Sequence, residues 1–318
     1  MDTLSLDELT AGQDIVYRYL KPTPEILWPL LSERAGTEVW VKHENHTPIG
    51  AFKVRGGLTY MDHLSREQPD VKGIISATRG NHGQSLAFAA ARYGMTLTIL
   101  VPHGNNPEKN NAMRALGAEL IEYGDDYQEA REYAESLAQE KQLHMVGAFH
   151  PWILAGVGTY AMEFLTACDD LDVVYVPIGM GSGICGMVSA RDALGLKTKI
   201  IGVVAEDAAS YALSFEQKKA VSTNTADTIA DGLACRVPDA NALEIILDGV
   251  EDVVRVSEEE IKAAMRNYYT DTHNLAEGAA AAPLAALLKQ KSDGKKVGLV
   301  NSGGNVDAET FRSILRGG

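Results

Sequence analysis

Val173-Val174-Tyr175-Val176-Pro177 passes through Ile178 into Gly179-Met180-Gly181-Ser182-Gly183-Ile184-Cys185-Gly186. A short β-branched run, then four glycines in eight residues, then a helical stretch is the pattern of a strand, a tight turn and a helix start. Glycines leave the backbone N–H groups of such a turn uncovered, and the helix start adds a dipole that favours negative charge, so a phosphate is the natural guest. The spacing differs from the G-x-x-x-x-G-K-[ST] of nucleotide triphosphatases. A dinucleotide fold would carry its G-x-G-x-x-G at the first strand. Taken alone, the same loop also suits a turn with no ligand.

The alternation extends in both directions. Upstream, strands are expected at Gly73–Ala77, Leu97–Val101, Glu119–Tyr123 and His144–Phe149, with helices at His82–Tyr93, Pro107–Leu116 and Tyr127–Gln142. Downstream of Pro151 come a helix at Gly158–Cys168, strands at Val173–Pro177, Ile200–Ala205, Val250–Val256 and Val297–Val300, and a closing helix at Ala308–Leu315. Ser257 and Glu260 have the spacing of a capping box for a helix to Tyr268. The alanine- and leucine-rich Gly278–Leu288 reads as a buried helix, too short to cross a bilayer. Strands alternating with helices predict an α/β protein of two lobes, each a mainly parallel sheet flanked by helices, with a boundary near residue 150.

Composition narrows the function classes. The 318 residues carry 29 basic and 43 acidic side chains, a net charge of −14, which disfavours nucleic acid or an anionic membrane as principal partner. Cys168, Cys185 and Cys235 are odd in number and widely spaced, fitting reduced packing residues rather than a disulfide framework or a zinc knuckle. No secretory pattern opens the chain, and no apolar run reaches the roughly 20 residues of a membrane span. A cytoplasmic location is therefore expected.

Chemistry concentrates in four short motifs. Lys53 lies in Ala51-Phe52-Lys53-Val54-Arg55-Gly56-Gly57, among apolar and small residues that would desolvate its ammonium, lower its pKa and leave an amine able to condense with an aldehyde. A surface lysine on a first helical turn is the plainer alternative. Thr78-Arg79-Gly80-Asn81-His82-Gly83 forms a polar turn before a helix, and Asn301-Ser302-Gly303-Gly304-Asn305 follows another apolar strand. Ser302, the glycine loop and the Asn81 turn all fall at carboxyl ends of expected strands, where ligand crevices of open α/β sheets form. Individually, Ser302 could cap the next helix, Asn81 could be an ordinary turn residue, and His82 a solvent-facing first-turn residue.

With these motifs in order, the chain resembles the fold-type II pyridoxal-phosphate enzymes, a tryptophan synthase β-like architecture, in the branch of threonine and serine dehydratases, serine racemases and hydroxyaspartate dehydratases. The likeness runs from Thr23-Pro24 to Asn305 and includes Gly156-Val157-Gly158-Thr159 and Thr228-Ile229-Ala230-Asp231-Gly232. It implies a large cofactor-binding domain of residues 1–44 and 151–318 and a small domain of residues 45–150. It implies pyridoxal 5'-phosphate as cofactor, with Lys53 as the Schiff-base lysine and catalytic residue and Phe52 beside it. Asn81 would meet the cofactor's phenolic oxygen, Gly179, Met180, Gly181, Ser182 and Gly183 its phosphate, and Ser302 its pyridine nitrogen. Thr78, Arg79, Gly80 and His82 would bind the substrate. A hydroxyl rather than a carboxylate at the pyridine nitrogen weakens the electron sink and suits elimination.

The activity so implied is loss of water and then ammonia from a β-hydroxy-α-amino acid such as threonine, serine or 3-hydroxyaspartate, with the small-molecule amino acid as partner and a homodimer as the default assembly. A racemase, a β-replacement synthase, and a non-catalytic amino-acid-binding protein on a similar scaffold are the alternatives. The chain departs from the pattern at Ala51, where the family usually has serine, and at Met180, where it has glycine. Arg79 stands where racemases carry a small residue that serves as acid or base, a role an arginine performs poorly. It would act as a carboxylate clamp, or face solvent or pair with a carboxylate such as Glu44. Glu206 fits one position of a divalent-metal site found in relatives, but Ala212 takes the place of the partner aspartate, so no metal is expected. A carboxy-terminal regulatory domain is likewise not expected.

Overall fold

The computed structural model describes residues 1–291 and 296–317. Ten strands occur among them: β1 (Glu25–Leu27), β2 (Glu38–His43), β3 (Gly73–Ala77), β4 (Thr96–Val101), β5 (Glu119–Glu122), β6 (His144–Met145), β7 (Val173–Pro177), β8 (Lys199–Ala205), β9 (Asp252–Val256) and β10 (Lys296–Asn301). They form two sheets, in the orders β1-β2-β10-β7-β8-β9 and β5-β4-β3-β6. Every pairing is parallel except β1 with β2, and the strands alternate with helices, so the expected α/β class holds.

The chain divides into two compact units. One comprises Met1–Phe52 and Val157–Gly318 and contains the six-stranded sheet; the other, Lys53–Gly156, contains the four-stranded sheet. In the larger unit, β7 and β8 are almost wholly buried, as parallel strands covered on both faces must be. The helix Gly278–Gln290 packs on this sheet with Ala279 to Leu287 buried, which explains its run of small apolar residues. In the smaller unit, the helix Tyr127–Lys141 covers β3 and β4 through Ala130, Ala134 and Leu137.

Several boundaries differ from expectation for local reasons. The strand expected over His144–Phe149 ends at Met145, because after Val146 donates to the Ile75 carbonyl (2.9 Å) the chain turns away through Gly147. The helix expected from Gly158 begins seven residues earlier, at Pro151, and runs to Ala167. Proline suits the first helical position, where its missing N–H is no loss. The helix from Glu258 carries its capping box at Ser257 and Glu260 but continues past Tyr268 to Thr272.

Strand β2 had no counterpart in the sequence reading, yet it pairs with both β1 and β10. Lys42 disguises it, because a lysine in a strand reads as an exposed position. Here Lys42 is fully buried and held by Glu163 (2.6 Å), by Glu25 and by the Thr23 carbonyl (2.9 Å). A buried charge is tolerated on such terms, paired and hydrogen-bonded.

Candidate active site

The sequence-predicted residues fall into two clusters, one on each unit, except that Phe52 and Lys53 are chain neighbours across the division.

In the smaller unit, Lys53 opens the helix Lys53–Glu67. Its carbonyl accepts a hydrogen bond from the Ser85 hydroxyl at 2.5 Å, and Gly57, one turn on, meets the same residue so closely that a Cβ there would stand 2.3 Å from Ser85 Oγ and 2.7 Å from its carbonyl oxygen. A glycine is required for that approach. On its other side, Gly156 fits against the Arg55 carbonyl with room for no side chain (2.2 Å), and Thr59 Oγ1 donates to the Trp152 carbonyl at 2.7 Å. The base of Lys53 is thus fixed from two directions. Desolvation pushes its ammonium down from 10.5 to about 8, so a sizeable fraction is free amine near neutrality.

The turn Thr78–Gly80 follows β3, with the Gly80 N–H donating to Thr78 Oγ1 (3.0 Å) and the Thr78 N–H to the Leu100 carbonyl (3.0 Å). The helix Asn81–Arg92 begins there without a side-chain cap. Asn81 is half-buried at its first position. His82 is buried rather than solvent-facing, which corrects the plainer expectation for it. Burial and the neighbouring Lys53 push its imidazole down to about 3, so it is neutral; it also meets the Gly147 backbone, and its Nε2 has no hydrogen-bond partner among the described residues. Arg79 is exposed, with its carbonyl held by Asn105 Nδ2 at 3.2 Å.

In the larger unit, β7 ends at Pro177 and the helix Ser182–Ala193 starts after Gly181, again without a side-chain cap. Gly181 has φ of +96°, a conformation that favours glycine, and a Cβ there would meet Ala242 Cβ at 2.5 Å. A Cβ at Gly179 would stand 2.1 Å from the Gly232 carbonyl oxygen, backbone that cannot step aside. Gly183 is covered by the Phe52 ring (3.5 Å), and its carbonyl accepts from the Tyr160 hydroxyl (2.8 Å). Tyr160 also meets Phe52 edge to face at 6.0 Å.

Ser302, at the end of β10, is buried, and its carbonyl accepts the Phe52 N–H at 3.0 Å, tying the residue next to Lys53 to the serine turn. Ser302 does not cap the closing helix; Asp307 does, through the Thr310 N–H. Glu277, buried beside Gly303, caps the alanine-rich helix by position and donates its N–H to the Gly303 carbonyl (3.0 Å). The sequence reading had passed over Tyr160, Tyr211, Ser85 and Glu277. The only signal for the tyrosines was a hydroxyl inside an apolar helix, which must find a partner when buried.

Glu206 and Asp207 are exposed on the short turn Glu206–Ala208, and Ala212 is buried in the next helix. Among the described residues no set of three histidine, cysteine or acidic side chains is placed to hold a metal.

A glycine cradle at an uncapped helix start suits a phosphate, and a desolvated lysine suits an aldehyde. A family model described as pyridoxal-phosphate dependent enzyme matches residues 16–303. The chain belongs to that family. As a pyridoxal-phosphate enzyme it uses pyridoxal phosphate as cofactor, and the residues present fit it.

Relatives agree. The catabolic L-threonine dehydratase of Staphylococcus aureus (strain N315) is 35% identical over 99% of this chain and 93% of its own length. The L-threonine ammonia-lyase of Geobacter sulfurreducens is 38% identical over 90% of this chain and 72% of its own. Among solved structures, the processed form of threonine deaminase isoform 2 from Solanum lycopersicum superposes with a TM-score of 0.90 at 29% identity, over 99% of this chain and 94% of that one. Maize serine racemase gives 0.92 at 25% identity, over 99% and 98%.

Proposed function

We propose that this protein is a pyridoxal-phosphate-dependent ammonia-lyase that converts a β-hydroxy-α-amino acid of the threonine or serine kind to a 2-oxo acid and ammonia. The observation that carries this reading is the identity of 33–38% to named L-threonine dehydratases and ammonia-lyases over at least 90% of the chain. Lys53, half-buried and shifted toward the free amine, supports it.

When bound, pyridoxal phosphate withdraws electrons from the substrate Cα and so acidifies its proton. Lys53 would hold the cofactor through its amine and, when free, would take up the substrate Cα proton as a neutral base. The backbone of Gly179, Met180, Gly181, Ser182 and Gly183 would hold the phosphate, Ser302 would offer its hydroxyl to the pyridine nitrogen and Asn81 would meet the phenolic oxygen, while Phe52 packs beside the loop. Thr78, Gly80 and His82 bind the substrate carboxylate. His82, kept neutral, places no positive charge beside Lys53. The proton taken from Cα would pass from Lys53 to the departing β-hydroxyl, which leaves as water; tautomerisation of the released enamine and its hydrolysis by water then yield the 2-oxo acid and ammonia.

A panel of L-threonine, L-serine, both 3-hydroxyaspartate diastereomers and their D-isomers, assayed for 2-oxo acid and for change of configuration, tests the reading. Turnover of a hydroxy amino acid to its 2-oxo acid is expected. Inversion without 2-oxo acid would replace it with a racemase. The exposed Arg79 adds one arm: if it clamps a second carboxylate, Arg79→Ala lowers turnover of the dicarboxylate alone.

The same reading includes a homodimer in the cytoplasm. No helix among the described residues is long and apolar enough to cross a membrane, and all three cysteines are free and buried. Light scattering of the holoenzyme checks the dimer.

A further inference from the structure

Tyr211 is fully buried at the start of the helix Ser210–Gln217. Its hydroxyl donates to the Met180 carbonyl at 3.2 Å and accepts the Asp239 N–H at 3.0 Å. The same oxygen stands 3.3 Å from where a Cβ on Gly181 would be. Asp239 in turn caps the helix Ala240–Gly249 through the N–H groups of Asn241 and Ala242, and Ala242 is the residue packed on Gly181. One phenol therefore joins the outer side of the loop to the capped helix behind it.

From this bracket we infer that Tyr211 is a positioning residue for cofactor phosphate. By holding the Met180 carbonyl outward, it turns the following amides of Gly181 to Gly183 toward the anion. The inference rests on the loop being the phosphate site, as proposed above.

The bracket is chemically steady. A peptide plane is rigid, so fixing a carbonyl fixes the N–H of the next residue on the opposite side. Burial pushes the Tyr211 phenol up from its ordinary value, so the group remains a donor at every working pH. Cys235 backs the same residue: its Sγ lies 3.6 Å from Met180 Sδ and 3.3 Å from the Val237 carbonyl, and burial raises its thiol to about 11, leaving it an inert packing group. The long Met180 side chain, where relatives usually have glycine, is thus received by a partner of its own, and the backbone at that position is free to serve the loop.

The test uses purified protein stripped of cofactor, titrated separately with pyridoxal phosphate and with pyridoxal, which lacks the phosphate. In Tyr211→Phe the dissociation constant for pyridoxal phosphate is expected to rise three- to tenfold, the worth of one hydrogen bond, while that for pyridoxal stays within twofold. Equal weakening for both compounds, or for neither, overturns the inference. Tyr211→Phe also leaves the Asp239 N–H without its acceptor, so a melting curve of each apoprotein accompanies the titrations. A loss confined to pyridoxal phosphate in Tyr211→Phe, at unchanged melting temperature, supports positioning. If the wild type binds pyridoxal as well as it binds pyridoxal phosphate, the loop is not a phosphate site and the reading beneath the inference fails instead.

Discussion

The glycine loop and the lysine helix share close glycine packing but differ in the groups that line them. Around Gly179 to Gly183 the constraints are steric and neutral: the Gly232 carbonyl and the Ala242 methyl, which admit no Cβ, a phenylalanine ring, and the hydroxyls of Tyr160 and Tyr211. Around Lys53 they are titratable: an amine lowered to about 8, a histidine lowered to about 3, and farther along the same helix Tyr60, raised to about 12 and bonded to His144 Nε2 at 2.8 Å. Under the proposed function, the loop that would grip an anion gains from rigid dipoles, whereas the region that would move a proton gains from groups whose charge is poised. Sensitivity to pH should therefore reside in the smaller unit, whereas sensitivity to side-chain volume is shared, because Gly57 and Gly156 are packed as closely as Gly179.

Removing the amine breaks the comparison most severely. Lys53→Ala should lower 2-oxo acid release by at least about 10²–10⁴-fold, the range for a lost acid–base group, and should abolish the covalent attachment that borohydride traps. Next in size is a volume change in the loop. Gly179→Ala puts a methyl 2.1 Å from the Gly232 carbonyl oxygen, and with backbone on both sides the strain is relieved only by moving the loop. A cost of about 1–3 kcal/mol is expected, seen as weaker cofactor affinity and a lower melting temperature. Gly36→Ala, at a surface glycine with nothing near its Cβ position, should cost only the strain of its φ of +70° and leave cofactor affinity alone.

These contrasts also show what could be read from sequence. The fold class was legible because β-branched runs and amphipathic stretches alternate over most of the chain, and strands β3 and β7 and the closing helix fall on the expected residues. The family was legible because Lys53, Asn81, the glycine loop and Ser302 recur in order, and the matching family model spans all of them. What escaped was whatever depends on partners remote in sequence. Strand β2 contains Lys42, whose burial makes sense only once Glu163, 121 positions away, is beside it. Tyr211 likewise finds the partner of its hydroxyl, the Met180 carbonyl, 31 residues earlier.

A smaller effect sharpens the pH half of the comparison. An ordinary lysine becomes a free amine only near pH 10.5; Lys53 should do so near 8. The rate at which apoprotein captures pyridoxal phosphate should accordingly climb about tenfold per pH unit below 8 and level off above it. A climb that continued to pH 10 would mean that the amine is solvated after all.

The smallest effect expected lies at His150. Its carbonyl accepts the Leu154 N–H at 2.9 Å and its Nδ1 accepts the Trp152 N–H at 3.2 Å, so it caps the helix Pro151–Ala167 with an imidazole. That acceptor exists only while the ring is neutral; once protonated, Nδ1 carries a hydrogen and a positive charge faces the positive end of the helix. The surroundings are mostly basic or neutral: His144, His63, the Tyr60 ring at 5.2 Å and the Trp152 ring at 4.7 Å, with Glu67 the acidic group that acts on it. Burial first, then the two histidines, hold its pKa below the ordinary 6.5. The unfolded chain therefore binds this proton more readily than the folded one, and as pH falls below about 6.5 the folded state loses stability, whereas above it the term vanishes. His150→Asn keeps an acceptor that does not titrate. Relative to wild type it should melt within a degree or two at pH 8 and gain on the wild type by about 0.5–1 kcal/mol near pH 5, the ordinary worth of one cap. Because Thr59 Oγ1 holds the Trp152 carbonyl, and Thr59 lies on the helix that begins with Lys53, the acid-side loss in wild type should be accompanied by faster release of cofactor. Parallel melting curves of the two proteins across pH 5 to 8 would refute the cap as the source.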